Sequence, residues 1–190
     1  MAAPIPQSLR VEFDLNETDI AYFRERLGKS RKKRGVRDDG QVVEKAQGLI
    51  EEARSANAPS FVVERVGKLK TMLEMLTDHD WDLKGDEREH VFDMLAYFAD
   101  PQDLIPDHIP GLGFIDDAIM IELVAMELEP EIEAYVDFCI NREELKAGNA
   151  DAGSIDQSRD YLQRRMRRRR RRRAGGGSDM LSSIFQSSGG

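Results

Sequence analysis

The sequence predicts an all-α protein: a compact bundle of about five to six helices around one central apolar helix, followed by a disordered arginine-rich C-terminal tail. Three observations lead to this prediction. Apolar residues recur at spacings of three and four through much of the chain, which is the period of an amphipathic helix. Clusters of Pro, Gly, Asn and Asp separate these stretches. Nine arginines and one methionine fill residues 164–173, where like charges one turn apart repel each other.

Residues 1–37 are predicted to form an N-terminal segment with one helix and a basic linker. Asn16 and the three polar residues after it are typical of a helix start, and Gly28 is expected to end this helix. Residues 29–37 hold six basic residues in nine, a composition that favours a solvated linker.

The packed bundle is expected to span residues 38–146, where apolar stripes and helix-breaking turns alternate. One stripe follows Asp38, and a second follows the break at Pro59. A polar turn around Trp81 leads into a fourth helix. Pro130 suits the first turn of the last helix of the bundle, because its missing N–H is not needed there.

The helix predicted over residues 114–128 is apolar on almost every side, which is normal for a helix at the centre of a bundle. Glu122 interrupts this surface, with Ile115 and Ala118 beside it on the helical wheel. A carboxylate in that position is expected to be partly buried and paired with a cation.

Residues 147–190 are predicted to be a flexible tail, because residues 147–154 turn to Gly, Asn and Asp after the last apolar stripe. A short helix is expected over residues 155–166, and the Gly- and Ser-rich end favours disorder. Since the arginine run would then lie outside the packed part, its removal is expected to leave the melting temperature unchanged.

Three prolines, a glycine and four aspartates lie close together before the central helix. The set, with the two apolar residues between them, is Pro101, Asp103, Leu104, Ile105, Pro106, Asp107, Pro110, Gly113, Asp116 and Asp117. This pattern resembles the YkvA-like family of bacterial proteins, a domain of unknown function, over about residues 90–128. The resemblance implies a helical hairpin folded around this loop. It implies no reaction, because none is established for the family.

The preferred interpretation of this motif is a rigid connector between helices. Pro106 and Pro110 fix the backbone and disfavour helix in the residues before them. Gly113 can adopt a left-handed conformation that other residues resist. Asp116 and Asp117 would occupy the first turn of the central helix, where each carboxylate gains roughly 0.3–1 kcal/mol from the helix dipole.

The alternative interpretation is a metal site. Asp103, Asp107, Asp116 and Asp117, with His108 alongside, supply the oxygen ligands that Mg²⁺ or Ca²⁺ prefers. A metal-dependent enzyme would add a water activated by that ion. The spacing matches neither an EF-hand nor a zinc motif, so no cofactor is predicted except, under this alternative, a divalent cation.

The charge is distributed unevenly. The whole chain carries −8, but residues 1–163 hold 19 basic and 35 acidic side chains, a net charge of −16. The opposing charge comes from Arg164, Arg165, Arg167, Arg168, Arg169, Arg170, Arg171, Arg172 and Arg173. Such a run is predicted either to bind a polyanion or to be a solubilising tail with only non-specific contacts. Nucleic acid, an anionic membrane surface and the acidic body of the protein itself are the three candidates.

Several classes of protein are disfavoured. The single cysteine, Cys139, excludes an intrachain disulfide. The first residues lack the pattern of a signal peptide, and no run approaches the roughly 20 apolar residues that cross a bilayer. We therefore expect a cytoplasmic protein, with peripheral attachment to a membrane left open.

These features favour a non-catalytic helical interaction or scaffold protein, with a cationic C-terminal arm for an anionic partner. Two alternatives remain. One is a metal-dependent enzyme that uses the clustered aspartates with Mg²⁺ or Ca²⁺. The other is a non-specific binder of nucleic acid or an anionic membrane surface, acting through the arginine run.

Overall fold

The computed structural model describes residues 14–33, 38–56, 58–99, 113–148 and 151–185, with the backbone alone at residues 30–33 and 175–185. Within these residues the regular structure is entirely helical, which confirms the predicted fold class. The helices are α1 (Glu17–Lys33), α2 (Asp39–Ser55), α3 (Ser60–Thr77), α4 (Gly85–Leu95), α5 (Ile115–Glu127), α6 (Glu129–Ala147) and α7 (Ala152–Phe185). A short 3₁₀ helix, Ala96–Ala99, continues from α4.

Helix α1 begins where the sequence predicts and ends later. The Asn16 side chain accepts hydrogen bonds from the backbone N–H groups of Thr18 and Asp19, at 2.8 and 3.2 Å. The Asp19 carboxylate accepts in return from the Asn16 N–H, which completes a reciprocal cap. The prediction that Gly28 ends the helix is wrong, because α1 continues to Lys33. An ion pair between Lys29 and Glu25, one turn earlier, supports this continuation.

Helix α5 packs against α1, α3 and α6. Its buried apolar residues include Met120, Ile121 and Val124, each fully covered. Glu122 pairs with Lys68 of α3, and the shorter of the two nitrogen–oxygen distances is 2.6 Å. This contact confirms the predicted partly buried ion pair.

The turn between α3 and α4 is anchored by Trp81, whose side chain is completely buried. Its ring packs against those of Tyr135 and Phe138 on α6, with centroids 5.7 and 5.2 Å away. Asp78 shapes the turn, because its carboxylate accepts the backbone N–H groups of Asp80 and Trp81. The α3–α4 turn is therefore fastened to α6 by both apolar and polar contacts.

The prediction of a flexible arm is wrong for the arginine run. Residues 152–173 belong to α7, which packs along α6, and the Asp151 carboxylate caps its start by accepting the Ser154 N–H. Leu162 and Met166, one turn apart, are buried in the core. The packed part of the chain therefore does not end at residue 146. Repulsion between the arginines is offset by carboxylates on the neighbouring helices. These carboxylates are distant in sequence, so residues 164–173 alone do not indicate them.

Candidate functional site

A ladder of three ion pairs joins α7 to α6. Its members are Arg165 with Asp137, Arg169 with Glu133, and Arg173 with Glu129. Each step of four residues forward along α7 meets a step of four residues backward along α6, as antiparallel neighbouring helices require. The ladder lies at the edge of the α6–α7 contact, where its side chains are one-third to three-fifths exposed. Each exposed pair contributes about 0.2–1 kcal/mol.

Two further arginines contact carboxylates of the body. The Arg167 Nε donates to Glu87 Oε1 of α4 at 2.9 Å. The Arg170 Nε lies 3.7 Å from Glu131 Oε1, and Glu131 is only 1% exposed. Both Glu131 oxygens are buried without a hydrogen bond from a described group, and burial raises the pKa of this carboxyl. Five of the nine arginines therefore neutralise acidic groups of the protein itself.

Glu131→Gln should raise the melting temperature near neutral pH. Because the pKa of Glu131 is raised in the folded state, its favourable contribution to stability is present below the unfolded pKa and is lost as the pH rises through the folded pKa. The neutral amide removes the cost of burying a charge, so the gain should disappear below about pH 4. Thermal melts at both pH values measure this, with the exposed Glu144→Gln as control. A lower melting temperature at neutral pH would mean that the pair with Arg170 outweighs the burial cost.

The remaining four arginines, Arg164, Arg168, Arg171 and Arg172, form no ion pair with any residue that the structure describes. We call them the outer arginines. All four are exposed, and their spacing places them on one face of α7 together with Tyr161, which is 55% exposed. The arginine run is thus divided into paired residues and a cationic outer face.

Contacts before the arginine run hold α7 in place. The Gln163 side-chain amide donates to the Trp81 carbonyl at 2.7 Å, and Arg159 donates to the Asp80 carbonyl at 3.3 Å. These bonds attach α7 to the α3–α4 turn, in addition to its packing against α6. A helix held by its neighbours presents its arginines from a fixed backbone, so less backbone entropy is lost on binding.

Asp78 joins the α3–α4 turn to α6 through a cluster of polar groups. Arg142 Nη1 donates to both of its oxygens, at 2.7 and 2.9 Å, and the Tyr135 hydroxyl donates at 3.0 Å. Burial by itself raises the pKa of the Asp78 carboxyl, but the hydrogen bonds from Arg142, Tyr135 and the Trp81 N–H outweigh it and hold that pKa below its usual value. Burial raises the pKa of the Tyr135 hydroxyl. This cluster fixes the surface on which α7 packs.

The aspartate and proline motif is described only at its C-terminal end. Asp116 and Asp117 occupy the first turn of α5, as the sequence predicts, and Asp116 is 2% exposed. Gly113 is buried. The predicted residues Pro101, Asp103, Pro106, Asp107 and Pro110 lie outside the described residues. Among the side chains that are described, no three potential metal ligands gather at one place. Both the connector and the metal site therefore stay predictions.

The division of the arginines was missed by the sequence analysis, although a signal for it exists. The acidic residues Glu129, Glu133 and Asp137 recur every four residues, as do the three arginines of the ladder. Matching periods of opposite charge are typical of two helices that lie side by side.

The fold and this face define an all-helical protein with a cationic surface helix held on an acidic body. A family model described as a protein of unknown function (DUF1232) matches residues 91–123, from α4 into α5. The protein named "uncharacterized membrane protein YkvA" of Bacillus subtilis (strain 168) is 36% identical over 73 residues, which cover 35% of this chain and 67% of that protein. The chain belongs to this YkvA-like family of unknown function. No solved structure matches the chain.

The matched segment of the family model does not include α7 or its arginines. Among the helices described, none is long and apolar enough to cross a membrane.

Proposed function

We propose that this protein is a non-catalytic binding protein that presents the outer arginines of α7 to an anionic partner. One observation carries the proposal. Arg165, Arg169 and Arg173 are paired with carboxylates of α6, whereas Arg164, Arg168 and Arg172, each one residue earlier, are exposed and form no ion pair with a described residue. Guanidinium groups bind phosphate and carboxylate oxygens through charge-assisted hydrogen bonds.

The electrostatics of α7 support this function. Outer arginines three and four residues apart repel each other, and a bound polyanion relieves this repulsion. The ladder and the contact with Glu87 pair four carboxylates beside the arginine run with other arginines, which leaves the positive charge of the outer arginines uncompensated by them. The Bacillus subtilis relative is named a membrane protein, and this name supports anionic lipid as one partner of the face.

The proposal predicts that removing the outer charges weakens binding to a sulfated polyanion such as heparin. In a variant with Arg164→Gln, Arg168→Gln and Arg172→Gln, affinity at low salt should fall at least about tenfold, and wild-type binding should weaken steeply with salt. Elution from a heparin column with rising NaCl measures both effects.

The matched control removes three exposed positive charges elsewhere, through Lys45→Gln, Arg54→Gln and Lys70→Gln. Its net charge equals that of the outer variant, so it should elute much closer to the wild type if position decides binding. Equal elution of the two variants would contradict a localised anion-binding face.

A further inference from the structure

We propose that the anionic partner is the surface of a lipid bilayer, and that α6 and α7 lie on it together. This inference rests on the proposed function and names its partner. The face concerned, called the outward face here, consists of the outer arginines and Tyr161 on α7 with Val136 and Ile140 on α6.

The ladder shows that these residues share one side of the helix pair. On α7, Arg164 precedes the ladder residue Arg165 and is exposed, whereas Met166 follows it and is buried. On α6, Val136 precedes the ladder residue Asp137 and is 41% exposed, whereas Phe138 follows it and is fully buried.

A step of one residue turns a helix by about 100°. When two antiparallel helices lie side by side, the residues just before the contact residues of both helices face one side of the pair. The residues just after them face the other side. By the same rule, Arg168 and Arg172 face the side of the helix pair that Val136 faces. Ile140, one turn beyond Val136, extends that side.

The outward face combines positive charge with exposed apolar groups. Ile140 is 54% exposed and Tyr161 is 55% exposed, and Val136 lies one turn from Ile140. Arginines with aliphatic and tyrosine side chains on one surface are typical of proteins that lie in the bilayer interface, where the charges meet anionic headgroups and the apolar groups enter the acyl boundary. The phosphodiester backbone of a nucleic acid binds the arginines but offers no apolar environment to aliphatic side chains. Only the arginines would therefore contribute to binding a nucleic acid.

The position of the acidic groups also favours a flat partner. Three carboxylates of α6 beside the outward face, Glu129, Glu133 and Asp137, are each paired in the ladder, and Asp160, next to Tyr161, lies 3.5 Å from Arg159. Glu143 and Glu144 mark the end of this face, beyond Ile140. A bilayer touches the outward face and leaves the rest of the acidic body in water, whereas a polyanion that wraps around the protein would meet that body.

Sedimentation of the full chain with vesicles tests the inference. The vesicles contain phosphatidylcholine alone or phosphatidylcholine mixed with phosphatidylglycerol, and duplex DNA at the same salt concentration serves as the competing polyanion. We expect binding to the mixed vesicles, no binding to phosphatidylcholine alone, and weaker binding to duplex DNA than to the mixed vesicles. Loss of three positive charges in the outer variant should weaken vesicle binding roughly 100-fold.

The deciding variant changes only apolar groups, through Val136→Asn and Ile140→Asn. It should weaken vesicle binding roughly tenfold and leave heparin elution and the melting temperature unchanged. The control, Phe61→Asn and Val63→Asn, alters two exposed apolar residues of α3 and should bind vesicles like the wild type.

The two proposals fail in different ways. Vesicle binding that is insensitive to Val136→Asn and Ile140→Asn, or a wild type that prefers duplex DNA to the mixed vesicles, would overturn the bilayer inference. In either case a position-dependent heparin result would leave the proposed function standing. A wild type that binds neither heparin nor vesicles would remove both proposals.

Discussion

A chain that ends at Gly148 should lose at least about 4 kcal/mol of its free energy of unfolding, and with it much of a typical domain's stability. The truncation removes α7 and exposes to water the side of α6 that α7 covers. Leu162 and Met166 are 2% and 0% exposed, and burying each such side chain contributes about 1.5–3 kcal/mol. The Gln163 hydrogen bond to the Trp81 carbonyl disappears as well.

Urea denaturation of the two chains measures this difference. A chain that ends at Ala174 keeps the ladder and the buried residues of α7, so it is the matched control and should unfold at the same urea concentration as the full chain. If the chain that ends at Gly148 were as stable as the full chain, the arginine run would be a flexible arm outside the packed part.

Arg142→Met should lower the free energy of unfolding by about 2–4 kcal/mol near neutral pH, because it leaves the Asp78 carboxylate with less compensation for its burial. The two side chains are 15% and 13% exposed, so solvent screens their interaction only weakly. The Tyr135 hydroxyl and two backbone N–H groups still donate to Asp78, which keeps the loss below that of an isolated buried charge.

The effect of Arg142→Met should depend on pH. Since the pKa of Asp78 is lowered in the folded state, its contribution to stability is present above the unfolded pKa and is lost as the pH falls through the folded pKa. The difference between wild type and variant should therefore shrink below about pH 4. Urea denaturation at several pH values measures it.

Lys146→Met is the control for this prediction, because Lys146 lies 3.9 Å from Asp80 in the same cluster but is half exposed. It should cost less than about 1 kcal/mol at every pH. If Arg142→Met costs no more than Lys146→Met, the Asp78 cluster does not fasten the α3–α4 turn to α6.

Most of the fold could be predicted because its signals are local. Apolar spacing predicted α1 to α6, and Asn16 predicted the start of α1 within one residue. Glu122 could be expected to find a cation because its place on the wheel lies among apolar residues. Its partner Lys68 could not be identified, since 54 residues separate the two in the chain.

The position of α7 could not be predicted by the same means. Read alone, residues 164–173 have only repulsive neighbours, and the attraction that holds them comes from α6 and α4. The four-residue periods of Glu129, Glu133 and Asp137 were visible in the sequence. Their register against α7 was not, because it depends on where the connection after Ala147 places the second helix. Likewise, nothing local to Asp78 indicates that Arg142, 64 residues later, will pair with it.

The central claim is that neighbouring arginines of α7 have different roles, paired residues holding the helix and outer residues binding an anion. Two triple variants of equal net charge test it: Arg165, Arg169 and Arg173 changed to Gln, and Arg164, Arg168 and Arg172 changed to Gln. Melting temperature and heparin elution are measured for both. The ladder variant should lose about 1–2 kcal/mol of stability, and the outer variant should lose heparin affinity without losing stability. Two variants with the same melting temperature and the same elution would show that only the total charge of α7 matters.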